Sequence, residues 1–174
     1  MIYLIIILAA LTRLVPHIPN VGVVTAVAIF AGSVFSVRKA LGVTFFVRLL
    51  SDIAIGFFAW KVMVAVYVAH LFGVLFGKWV ASSKSLQARW VTILGSGLGA
   101  ACLFFLITNF AFLYAEYPHT VAGILESYTN GLPFLRGTVI GDVGFSFALF
   151  LVYDTARALA PWSPTRQLRL AKSI

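Results

Sequence analysis

Apolar runs of roughly 15–25 residues follow one another along almost the whole chain. Each is ended by a proline, a basic pair or a short polar stretch. An α-helix rises about 1.5 Å per residue, so about 20 apolar residues cross the ~30 Å hydrocarbon core of a bilayer. Within lipid every backbone polar group must be satisfied inside the protein, which confines such segments to helices or closed barrels. The runs fall at residues 1–15, 21–37, 40–58, 62–80, 90–114 and 138–159. They predict an all-α, polytopic membrane helix bundle with six transmembrane helices. Charged residues make up only 10% of the chain against 61% hydrophobic, whereas soluble domains carry about 25% charged residues. No polar linker separates two halves. Residues 1–160 are therefore expected to form one transmembrane domain, followed by a basic cytoplasmic tail at 161–174.

The breaks between runs carry the topology. The first run lacks the positive segment that precedes the apolar core of a signal peptide, so it reads as a short first span. Pro16-His17-Ile18-Pro19-Asn20 ends it, since proline removes a donor and restricts the residue before it. Arg38-Lys39 ends the second span, Ala59-Trp60-Lys61 reads as an interfacial turn, and residues 81–89 form a polar, basic loop. The net charge is +8. In a soluble protein this would raise nucleic acid as a partner. Here the basic residues sit at the ends of apolar runs, where the partner is the lipid bilayer and nucleic acid is not expected. One set of connections carries nine of the thirteen basic residues. The opposite set carries Arg13, Lys61 and Arg136, and Arg48 lies inside a span. The positive-inside rule then puts both termini in the cytoplasm. The 16–20 turn and the long connection between spans five and six fall together on the outer face.

That connection is the polar centre of the chain. Residues 109–142 hold three of the five acidic residues, Glu116, Glu126 and Asp142. Pro118 suits the first position of a helix, and Val121, Ile124, Leu125 and Tyr128 follow an amphipathic helical spacing. A short lid helix is expected there, ended by a break at Gly131-Leu132-Pro133. Arg48 and Asp52, four residues apart, share one helix face inside a span. They read either as a self-neutralising ion pair or as the wall of a polar cavity, because intramembrane charges face partners or water. Asn109 and Asp142 fall at a similar depth on two other helices, as cavity wall or as interhelical hydrogen-bonding glue. The candidate substrate-binding set is Arg48, Asp52, Asn109 and Asp142 as walls, His119, Glu126, Tyr128 and Asn130 in the lid, and His17 and Asn20 at the rim.

No cofactor follows from these residues. His17 and His119 are both expected outside, but two histidines are a weak metal signal. His70, in mid-span, could ligate a haem or chlorophyll metal, although a lone buried histidine is more often packed and hydrogen-bonded. Cys102 reads as a small buried hydrophobe or a soft metal ligand. A single cysteine excludes an intrachain disulfide and a multi-cysteine metal site. No Cys–His neighbourhood or phosphate-binding glycine loop supports catalysis. Small residues recur at helix-packing spacing in Gly22/Ala26, Ala28/Gly32 and Gly95/Gly99, which suits close packing within the bundle or against another subunit.

Three stretches resemble a bacterial membrane-protein family of unknown function to which a transport role has been ascribed. They are residues 13–20 (RLVPHIPN) with 26–32 (AVAIFAG), 51–56 (SDIAIG), and 104–110 (FFLITNF) with 117–124 (YPHTVAGI) and 132–134 (LPF). The likeness runs over roughly residues 12–150. That family in turn resembles the substrate-binding component of energy-coupling-factor vitamin transporters. The resemblance implies a six-helix bacterial inner-membrane protein. It would hold a vitamin-like molecule or metal ion at its outer side under a loop lid, and would work with a partner membrane subunit and cytoplasmic ATPases. Those components carry Ala-x-x-x-Ala in the first helix, where this chain has the adjacent pair Ala9-Ala10.

The leading expectation is thus a small-molecule binding and uptake component, not an enzyme, acting with partner subunits. A structural or cofactor-holding accessory subunit of a larger membrane complex is the alternative. A membrane enzyme built on a close Asp52–Asp142 pair is a third.

Overall fold

The structure is a computed structural model that describes residues 1–14 and 20–159. Six α-helices build it: α1 (Ile2–Leu11), α2 (Val24–Val34), α3 (Val37–Ile55), α4 (Trp60–Ala81), α5 (Leu86–Thr108) and α6 (Val121–Leu159). Short 3-10 turns follow α1 and α5. No strand occurs among the described residues. α4, α5 and α6 are long and apolar enough to cross a membrane. α1 and α2 are apolar but have 10 and 11 residues, and α3, with 19, includes Arg38, Lys39, Arg48 and Asp52. The expected His17 and the proline turn around it lie outside the described residues, as does the basic tail.

The organising element is α2. It packs against all five other helices, and Val24 through Gly32 are buried without exception. A helix apolar all round belongs in a core. At about 16 Å it reaches only half a hydrocarbon thickness. Its tightest neighbour is α4, because glycines remove the side chains that would hold the two backbones apart. A Cβ built on Gly77 would overlap the Ile29 carbonyl and come within 2.8 Å of the Gly32 Cα; one on Gly32 would overlap the Val74 carbonyl. Below this contact Phe30 meets Phe150 and Tyr153 edge-on, each at 5.3 Å between ring centroids. Trp90 stacks on Phe147 at 5.5 Å.

Three expectations need correction. The fifth span ends at Thr108 rather than Tyr114. Asn109 closes it, and the aromatic run beyond turns outward, with Phe110 stacked on Phe112. The third span stops at Ile55 because Gly56 takes φ +114°, which favours glycine.

The largest difference is the lid. Residues 121–159 form one 39-residue helix through Pro133, with no break at Gly131-Leu132-Pro133. A proline in a membrane helix is tolerated where neighbouring groups take up the freed carbonyl. Gly131 lies against the Asn109 side chain and the Ser127 hydroxyl donates to the Asn109 carbonyl oxygen, which holds α6 to the end of α5 at and before the expected break. Nor does Pro118 start the helix. Thr120 does, its Oγ1 accepting from the Gly123 N–H at 3.3 Å, as a capping threonine should. The amphipathic face also points the other way. Val121 and Leu125 are exposed, whereas Gly123, Ser127 and Gly131 are buried. The small residues turn inward, where they allow close packing, while Glu126, Thr129 and Asn130 stay exposed beside Val121 and Leu125. Pro133→Ala is therefore expected to leave α6 intact and to stabilise by less than the ~3 kcal/mol that an unaccommodated helix-interior proline costs. Hydrogen exchange should show continuous protection across residues 125–140 apart from Pro133, which has no N–H; protection gained at 131, 132, 134 or 135, beyond the new N–H at position 133, would contradict an unbroken helix.

Candidate functional site

Two chambers open between α4, α5 and α6, at the end of the bundle opposite the 82–85 turn. The upper one, about 360 Å³, is lined at its mouth by Glu116, Tyr117 and Asn130 and lower down by Phe104, Phe105 and Phe134. The lower one, about 200 Å³, is lined by Arg13, Thr25, Arg48, His70 and Asp142. Asn20, Phe104 and Thr138 line both, so the chambers meet there.

The floor is a chain of charge-assisted contacts drawn from four segments. Asp52, 1% exposed, receives Arg13 Nη2 on Oδ1 at 2.6 Å and Arg48 Nε on Oδ2 at 2.7 Å. Arg13 reaches it from the 3-10 turn after α1, and also donates to the Ser51 hydroxyl and the Arg48 carbonyl oxygen. Arg48 Nη1 approaches His70 Nε2 at 3.4 Å, and His70 Nδ1 lies 3.1 Å from Thr25 Oγ1. Arginine only donates, which makes Nε2 the acceptor and gives Nδ1 the proton. Nδ1–H then donates to Thr25, whose own hydroxyl proton is left for Asp142 beside it. Two guanidinium groups against one Asp52 carboxylate leave a surplus positive charge on this wall. Across the chamber, Asp142 Oδ2 is buried and has no hydrogen-bond partner among the described residues.

The other expected residues divide. Asn109 closes α5, donating to the Phe105 carbonyl oxygen at 2.9 Å and lining the upper chamber. Its backbone carbonyl receives the Ser127 hydroxyl at 2.8 Å. Asn130 stands at the mouth, donating to the Tyr117 hydroxyl at 3.3 Å. Asn20 takes φ +61°, a left-handed conformation that asparagine tolerates. The structure does not bring the remaining three to the chambers. His119 stacks flat on Phe112 at 4.3 Å, beside a separate outer groove. Glu126 lies on the exposed side of α6. Tyr128 packs against Phe105 and donates to the Leu106 carbonyl oxygen at 2.7 Å.

Several readings change. Arg13 is folded into the cluster rather than serving only as an outer-loop charge. Both oxygens of Asp52 are taken by guanidinium groups, which leaves neither for a paired-carboxyl site with Asp142. His70 has both ring nitrogens engaged, so none is free for a haem or chlorophyll metal. Cys102 is exposed on the helix surface rather than buried. No group of three or more metal-binding side chains occurs among the described residues. At the mouth, burial first, with Glu116 and Tyr117 adding, pushes the Tyr114 phenol up. It stays protonated and donates to the Thr108 carbonyl oxygen at 2.6 Å.

The chamber residues missed by sequence reasoning are Arg13, Thr25 and Thr138; His70 is packed and hydrogen-bonded, as a lone buried histidine more often is. One signal was present: Ser127, Gly131, Thr138, Asp142 and Ser146 recur at helical spacing and form the buried face of α6.

The model of a family of unknown function (DUF6580) matches residues 1–164. No curated protein and no solved structure matches the chain. The chain belongs to that family.

Proposed function

We propose that this member of a family without an assigned activity is a multi-span membrane protein that binds a small molecule from the outer side and takes part in its uptake with partner subunits. One observation carries the reading: an open cavity descends from a polar mouth to a buried, charged floor in a bundle that is otherwise apolar. Intramembrane charges are costly and typically mark a ligand or ion path. Ligand pockets combine apolar walls with a few placed polar groups, and Phe104 and Phe105 above Arg48 and Asp142 match that description. The accessory-subunit alternative expects this region to be filled.

The resemblance to energy-coupling-factor substrate-binding components supports the same reading, with the cavity outside and both termini in the cytoplasm of an inner membrane. A different docking chemistry for the partner is part of the proposal. Ala9 is buried in the core, and α1 turns Leu4, Ile7, Leu8 and Leu11 outward instead of a small-residue patch.

The test is native mass spectrometry of the gently solubilised protein. A retained small molecule is expected. Thr138→Leu, which fills the junction of the chambers, should cut its occupancy by about tenfold or more, equivalent to about 1.4 kcal/mol, with thermal stability unchanged. Retention of nothing under any mild extraction, or parental occupancy in Thr138→Leu, would sink the proposal.

A further inference from the structure

The lower chamber has a polarity of its own. One wall carries Arg13 and Arg48 against the single Asp52, a surplus of one positive charge. The other carries Asp142, 3% exposed, with Oδ2 unpartnered among the described residues. Among the described residues, His70 and Thr25 link Arg48 towards Asp142, at contacts of 3.4 and 3.1 Å. The start of α2 opens into the same space. Its N-cap, Val23, offers no side-chain hydrogen bond, the first turn holds no acidic residue, and Val23, Val24 and Thr25 are buried. The first bond of the helix runs from the Val27 N–H to Val23, so the N–H groups of Val24, Thr25 and Ala26 precede it. Uncapped N–H groups at a buried helix start favour an anion, and here that anion is the Asp142 carboxylate beside Thr25.

We propose that the lower chamber takes the head group of an α-amino acid with an apolar side chain. The carboxylate lies towards Arg48 and Arg13. The ammonium lies towards Asp142. The side chain rises past Phe104 into the aromatic upper chamber, towards Phe105 and Phe134. This rests on the binding reading above and adds the ligand class.

The charge count is what selects a dipolar ligand. A simple acid would satisfy the guanidinium surplus and leave Asp142 Oδ2 buried without a partner among the described residues. A simple amine would satisfy Asp142 and leave the guanidinium surplus unanswered. A site built for polar groups rejects analogues that lack them, because its own buried groups are then stranded. About 200 Å³ below and 360 Å³ above suit a small head with one apolar side chain.

The experiment measures binding of labelled leucine and phenylalanine to the purified full chain in lipid nanodiscs. Competitors are their decarboxylated analogues, isoamylamine and phenethylamine, and their deaminated analogues, isocaproate and hydrocinnamate. The amino acids should bind, with each one-group analogue at least about tenfold weaker, the cost of one stranded buried group. Asp142→Asn keeps the shape of the side chain. It should narrow the gap between phenylalanine and hydrocinnamate while the preference over phenethylamine persists.

Equal binding of an acid or an amine overturns the inference, as does an unchanged gap in Asp142→Asn. If native mass spectrometry finds another small molecule retained while neither amino acid binds, the ligand class is wrong and the binding reading survives. If nothing is retained and nothing binds, both fall.

Discussion

Asp52→Asn is expected to cost about 3–5 kcal/mol of stability, the scale for breaking a buried pair from one side. The substitution strips the only carboxylate that faces both Arg13 and Arg48. Both guanidinium groups are largely buried at the floor of the lower chamber, where hydration is too limited to replace it in full. Arg13→Gln should cost clearly less, because it leaves Arg48 and Asp52 as a balanced pair at 2.7 Å. Unfolding in mixed micelles, followed by circular dichroism for all three proteins, decides the matter. Equal losses for the two variants would show that the cluster does not work as one carboxylate between two cations.

Gly77→Leu should be at least as damaging, about 3 kcal/mol or more, beyond ordinary overpacking. The obstruction comes from the Cβ atom itself, against the Ile29 carbonyl and the Gly32 Cα, so no rotamer relieves it. α2 would have to move away from α4, and Gly22, Val24 and Thr25 at the start of α2 line the lower chamber. The control is Gly144→Ala, where a Cβ meets nothing within 4 Å; it should be neutral or up to about 1 kcal/mol stabilising from helix propensity. Comparable losses at both positions would contradict the close α2–α4 packing.

Six apolar runs were legible as six helices because lipid and protein interiors ask for the same residues. That identity of demand also hid the differences. The run 21–37 looks like a span, yet α2 is a short helix enclosed by the others, and nothing in an apolar sequence separates lipid from a protein neighbour. Arg48 and Asp52 were legible as a pair from their spacing. Arg13, 39 residues away, was not, because its partner is set by how α1 folds back on α3. Asp142 and Asn109 were identified from polarity in apolar surroundings. His119 and Glu126 were grouped by their place in the lid, whereas His119 precedes α6 and stacks on Phe112, and Glu126 lies on the exposed side of the helix.

The clasp of Arg13 on Asp52 has a consequence for biosynthesis. A chain is made from its N-terminus at about 5–20 residues per second, so Arg13 waits roughly 2–8 s before its counter-ion is polymerised. During that interval the guanidinium has no carboxylate to pair with, because Asp52 is the first acidic residue of the sequence. The arrival of Asp52 supplies the partner that fastens the end of α1 to α3. Early residues are thus committed by later ones, and the ion cluster times the assembly of the bundle as well as holding it.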